Sequence, residues 1–205
     1  MSKKIGRPLK SEPDSENKKK IIETVTEMIK KYGADYVTVR KVCETADVSV
    51  GTFYYYFKDK DDLMMFFLRE SLFPESDKIQ LTTPYTDISG RICELYMRLI
   101  NQYIKLGENF MKKFYTSGNR SLSAYMEEQN GKFLNGTIMA RSEEEMLIAV
   151  KNKNIKSDAN IHLMCQDICT IVKGCVFEWC LSGEKFNIEK TIKRIIKNYL
   201  SEFLL

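Results

Sequence analysis

A chain of 205 residues is long enough for one ordinary domain or two small ones with a sizeable core. Its 43% hydrophobic and 29% charged content is that of a soluble globular protein, and its net charge of +4 is too modest to signal nucleic acid by itself, so any basic footprint must be local. No apolar run approaches the ~18 residues that a membrane span needs and no signal-peptide core follows Met1, so a cytoplasmic protein without membrane attachment is expected.

Residues 1–13 are polar and basic, carry Pro8 and Pro13, and read as a flexible arm. Ile21, Ile22, Val25, Met28 and Ile29 then recur at spacings of three and four, the mark of an amphipathic helix. Asp14 or Ser15 is placed to cap it and Gly33 to end it. A second short helix starts after Thr38, a turn falls at Asp47-Val48, and a third helix starts after Ser49. Val39, Val42, Cys43 and Ala46 form the buried side of the second helix, and Val48, Phe53 and Phe57 point inward from the turn and the third helix. Asp59, with Asp62 three residues on, caps a fourth helix over about Lys60 to Phe73.

Pro74 and Pro84 bracket a loop, and no proline follows. An interior proline costs a helix ~3 kcal/mol, so the remainder of the chain is free to build long helices. Helical patterns run at about 88–106, 108–115 and 122–150, the last with a break or bend expected at Gly131 and Gly136. Ile161 to Leu181 forms another apolar helix, closed by Ser182-Gly183. Asn187 caps the last, whose stripe runs from Ile188 to Phe203. The expected fold class is all-α: an arm over 1–13, a three-helix helix-turn-helix DNA-binding domain over 14–65, and a larger helical domain over 66–205.

The face left exposed on the third helix is small and hydroxyl-rich: Gly51, Thr52, Tyr54, Tyr55 and Tyr56. Hydroxyls bond phosphates or base edges, ring surface meets thymine methyls, and glycine lets backbone approach DNA. Tyr56 also packs in part against the core, because rings on so short a helix cannot all face outward. Lys60, at the start of a helix, opposes the helix dipole. Either an external phosphate reverses that sign, or Asp59, Asp61 and Asp62 simply neutralise it.

Residues 15–70 resemble the DNA-binding domain of the TetR family of bacterial transcriptional regulators. The resemblance rests on Thr38, Arg40, Val48, Ser49, Gly51, Thr52, Phe53, Tyr54, Tyr56, Phe57, Lys58, Lys60 and Leu63. Two positions depart from the family pattern: Asp47 stands where glycine is usual, and Tyr55 where histidine is commoner. The resemblance implies that Arg40, Thr52, Tyr54, Tyr55 and Tyr56 lie near bases or phosphates, with Thr38 and Lys60 on the phosphate backbone. The triplet Gly6-Arg7-Pro8 resembles an AT-hook core, which would put Arg7 in a minor groove; a solvated tail is the other reading.

The resemblance also implies that 66–205 is a ligand-binding and dimerisation domain, with a double-stranded DNA operator, a small and hydrophobic effector, and a homodimer acting as a repressor. Candidate effector residues are Phe67, Tyr96, Met97, Tyr103 and Phe110, then Phe114, Tyr125, Met126, Met139 and Trp179, although such stripes are also ordinary core. Gly174, Val176, Ile188, Ile192, Ile195 and Tyr199 are candidates for a dimer interface built from the last two helices; the same stripes could instead cover the protomer core. His162, Cys165 and Cys169 share a helix face, which leaves a metal- or thiol-responsive regulator as an alternative, beside a helical interaction protein that binds no DNA. No metal or other cofactor is expected. Acidic groups such as Glu127-Glu128 and Glu143-Glu144-Glu145 sit on apparent solvent faces, and no catalytic fingerprint occurs, so the chain is not expected to be an enzyme.

Overall fold

The structure is a computed structural model that describes residues 13–72, 79–116, 118–119 and 128–205. The arm expected at the N-terminus, Arg7 included, lies outside the described residues apart from Pro13, as do Tyr125 and Met126. The chain divides into two compact units, residues 1–67 and 68–205. Among the described residues it is helical throughout, with two isolated β-bridges, Gln129–Lys132 and Ile155–Leu204. A helix-turn-helix unit is followed along the chain by a larger helical unit.

In the first unit, α1 (Pro13–Tyr32) begins one residue before the expected cap. Proline suits that first position because its missing N–H has no helical partner to lose. Ile21, Val25 and Met28 are buried on its inner face. They pack with α2 (Val39–Ala46) and α3 (Val50–Tyr56), whose Val42 and Phe53 are fully buried. α4 (Lys60–Leu72) adds Leu63, Met64 and Met65 to buried positions. Asp59 Oδ1 accepts from Asp62 N at 2.8 Å and Asp62 Oδ2 from Lys58 N at 2.9 Å, so two acidic side chains satisfy donors around the start of α4.

Asp47 carries the turn between α2 and α3 in the left-handed region, at φ 52° and ψ 50°. Its N–H still bonds the Cys43 carbonyl. Aspartate tolerates this backbone better than most residues but at a cost that glycine escapes. Asp47→Gly is therefore expected to stabilise the first unit by about 1 kcal/mol. Thermal unfolding of the variant checks it, and a lowered midpoint would mean that the Asp47 side chain has a stabilising role of its own.

The second unit is built from α5 (Ile88–Leu106), α6 (Glu108–Phe114), α7 (Ile138–Lys151), α8 (Ile161–Ser182) and α9 (Ile188–Ser201). α5 packs against α6, α7 and α9, and α8 against α6, α7 and α9. The helix expected over 122–150 is confined, among the described residues, to α7. Gly131 and Gly136 both adopt positive φ, 69° and 77°, which ends regular helix before Thr137 caps α7 through the Ala140 N–H at 3.2 Å.

One sequence expectation is overturned at the heart of this unit. Glu145, read as part of a solvated acidic run, is 1% exposed. Arg91 of α5 donates from Nε to its Oε2 at 2.8 Å and from Nη1 to the Thr83 carbonyl at 2.5 Å, and its guanidinium carbon lies 3.9 Å from the Tyr85 ring centroid. Arg141 Nη2 comes within 2.7 Å of Glu145 Oε1. Glu143 and Glu128 also leave the solvent-face description, since both bond His162.

Candidate nucleic-acid interface and effector cavity

Two caps set the geometry of the helix-turn-helix. Thr38 Oγ1 accepts from Lys41 N at 3.3 Å, and Ser49 Oγ from Thr52 N at 2.9 Å. With Val42, Phe53 and Phe57 buried, the opposite surface of α3 is fixed by helical periodicity. Tyr54 and Tyr55 are 55% and 57% exposed, Gly51 is exposed, and Thr52 and Tyr56 are half-buried. Val50, absent from the sequence-based candidates, is 51% exposed on this same helix, one turn before Tyr54. A branched apolar side chain beside two phenols suits contact with thymine methyls. Its position just after the Ser49 cap was the signal available in the sequence.

The polar groups on this face are not all idle. Thr52 Oγ1 lies 2.8 Å from Ser49 Oγ. Arg40, fully exposed on α2, donates from Nε to Glu44 at 2.7 Å, and that bond holds its pKa above the usual value. A phosphate would have to compete with Glu44 for the guanidinium. Lys60 is half-buried in the first turn of α4. Lys41 Nζ sits 3.4 Å from the centroid of the Tyr36 ring, which places a cation and an aromatic beside the start of α2.

In the second unit, Tyr96 and Tyr103 line an apolar cavity of about 30 Å3, together with Tyr115, Met139, Cys169 and Lys173. The other candidates among the described residues do not join them. Phe110 and Phe114 are buried and stacked on each other at 5.3 Å within α6. Trp179 is buried further along α8, and Phe67 is buried in the first unit. Met139 is among the candidates, whereas Leu99, Tyr115, Cys169 and Lys173 are among the wall residues that the candidate set lacks; their place in a common wall depends on α5, α6, α7 and α8 meeting.

The candidate dimer residues divide. Val176, Ile188 and Ile192 are between 0% and 4% exposed and pack inside the protomer, so they supply no free surface. Ile195 is half-buried, and the Tyr199 hydroxyl donates to Asp167 at 2.6 Å, tying α9 to α8. Gly174 is exposed. It stands in a stripe with Leu163, Thr170, Phe177 and Leu181, all exposed, at heptad-like spacing along α8. Phe177 and Leu181 are 56% and 65% exposed.

The metal reading of His162 dissolves in the same way. Its Nδ1 lies 2.7 Å from Glu143 and its Nε2 3.2 Å from Glu128, both acceptors, and the ring stacks on Phe133. The Glu143 bond leads the effects that raise its pKa, against desolvation. Among the described residues, no group of three potential ligands converges on a metal position. All six cysteines are free and buried, and burial raises the thiol pKa of Cys165 and Cys169. Such thiols are poor nucleophiles, which weighs against thiol sensing.

Residues 21–65 match the family model of the bacterial regulatory proteins of the tetR family. Solved structures share the fold over nearly the whole chain. A TetR transcription regulator from Haloarcula marismortui is 14% identical, with 93% of this chain and 100% of that one covered and a TM-score of 0.57. The fatty acid degradation regulator FadR from Bacillus halodurans is 18% identical, with 94% and 97% covered and a TM-score of 0.56. Thermus thermophilus FadR, a TetR-family transcriptional repressor solved in complex with lauroyl-CoA, is 11% identical, with 92% and 95% covered and a TM-score of 0.55. No curated protein matches the chain. No helix among the described residues is long and apolar enough to cross a membrane.

Proposed function

We infer, from the match of residues 21–65 to the tetR family model, that the protein is a cytoplasmic homodimeric repressor. It binds a pseudopalindromic operator and is released by a small apolar effector held in the second unit. The observation that carries this reading is the doubly capped α2–turn–α3, which presents Val50, Tyr54 and Tyr55 outward on a rigid helix. Two copies related by a two-fold axis would read two half-sites in successive major grooves. The effector would act by favouring one arrangement of the two recognition helices over another, with α4 as the connecting element. The FadR neighbour that carries lauroyl-CoA supports an effector with an apolar part.

Dimerisation is assigned to the exposed stripe of α8. Among the described residues, nothing occupies the space where a Cβ on Gly174 would stand, and no contact with them calls for glycine there. A glycine inside a helix costs roughly 1 kcal/mol relative to alanine, and close approach of a second helix would account for it. Phe177 and Leu181 supply apolar area on the same stripe. Phe177→Arg is expected to convert the dimer to a monomer and to lower operator affinity at least about 100-fold, because each half-site then binds alone. Sedimentation and gel-shift titration together test this. A variant that remains dimeric, or a wild-type chain that is monomeric at micromolar concentration, would remove α8 as the interface.

A further inference from the structure

The wall of the second-unit cavity holds two polar groups that lack suitable partners among the described residues. Among the described residues, Lys173 is the one charged group in that wall. It shares a face of α8 with Cys169, Val172 and Val176, and it is half-buried. Its ammonium meets the Cys169 thiol, which burial keeps protonated, and no carboxylate among the described residues pairs with it. A neutral thiol is a weak acceptor, so the cation has no counter-charge. The second group is the hydroxyl of Tyr96. The residue is 2% exposed, and its oxygen has no well-aligned hydrogen-bond partner. The nearby Ser142 hydroxyl donates to the Ile138 carbonyl at 2.7 Å. A buried polar group without a partner is uncommon and asks for a reason.

One ligand chemistry satisfies both. We propose that the cavity takes an apolar carboxylic acid as its anion, the head received by Lys173 and the Tyr96 hydroxyl and the tail lying against Leu99, Ile138, Met139 and Val172. The space of about 30 Å3 admits a head group. A tail requires the flexible Met139 and the half-buried Leu99 to move, and methionine repacks readily. A single ammonium suits a singly charged head better than a phosphate, and the apolar remainder of the wall disfavours a second polar end. This inference rests on the second unit being the effector domain, and deepens that reading by naming the class of effector.

The single tryptophan, Trp179 on α8, provides the readout. The full-length protein is titrated with octanoate, 1-octanol and octylamine, probes of equal length and different charge. Octanoate is expected to bind at least about tenfold tighter than octanol, with octylamine weakest, since a charge-assisted pair in a partly desolvated site is strong. Lys173→Gln removes the advantage of octanoate over octanol, Lys173→Glu turns the preference toward octylamine, and Tyr96→Phe weakens octanoate roughly fivefold. Thermal unfolding of each variant verifies that it is folded. Equal affinity for octanoate and octanol in the wild type, an unchanged preference in Lys173→Gln, or no saturable binding of any probe overturns the proposal. Operator affinity, measured on the same samples, separates it from its premise: Lys173-dependent binding without operator release would leave the ligand chemistry standing and overturn the effector role.

Discussion

Arg91→Ala is expected to destabilise the second unit by about 3–5 kcal/mol, the range for removing one partner of a buried ion pair. The side chains of Arg91 and Glu145 are 4% and 0% exposed. Their bond joins α5 to α7, and the same guanidinium holds the Thr83 carbonyl and packs on Tyr85. Deleting it leaves Glu145 as a buried carboxylate with only Arg141 for compensation, and leaves the residues that lead into α5 without their tether. Domain stabilities of about 5–15 kcal/mol make such a loss a large fraction of the whole. The pair also contains its own control. The double variant Arg91→Met/Glu145→Met replaces both charges with apolar groups of similar length and should recover most of the loss, because desolvation then costs nothing. Urea unfolding followed through Trp179 reads the second unit directly. A loss below about 1 kcal/mol in Arg91→Ala, the size of an exposed pair, would contradict the packing described.

The second large effect concerns α3. Tyr54→Ala with Tyr55→Ala removes two rings that are each more than half exposed, so folding stability should change by less than about 1 kcal/mol. Operator affinity should fall at least about 100-fold, since base-edge contacts of this kind carry ~1–3 kcal/mol each and occur in both protomers. Lys60→Ala should behave differently. On the proposed interface, Lys60 holds a phosphate in each of two protomers, so its loss should weaken binding to every sequence alike and reduce the salt slope by about 1 for each phosphate no longer neutralised. Gel-shift titrations at several salt concentrations distinguish the two patterns. Unchanged affinity in the tyrosine double variant would mean that α3 does not face the bases.

The parts of this fold that the sequence disclosed are local ones. Thr38, Ser49 and Asn187 each cap a helix through an N–H three residues on, and such a bond is readable from neighbours alone. The left-handed turn at Asp47 is of the same kind. The burial of Glu145 is not legible because its partner, Arg91, is 54 residues away, and an acidic triplet on a helix has no local mark of burial. The exposed stripe of α8 includes the expected Gly174 but not the expected Val176, for a related reason. That helix is apolar on nearly every side, so periodicity identifies a helix without telling which face the protomer covers. Val176 is in the core and its neighbour Phe177 at the surface. The cavity lies further still from view, because Tyr96, Met139 and Lys173 come from α5, α7 and α8 and meet only in the folded unit.

Selection of short duplexes from a random pool by the purified full-length protein tests the DNA-reading claim most directly. Enrichment of a pseudopalindrome, with half-sites separated by about one helical turn or a multiple of it and affinity falling steeply with salt, is the predicted result. A pool that stays random after repeated rounds, or an enriched sequence whose capture is untouched by loss of Tyr54 and Tyr55, would contradict it.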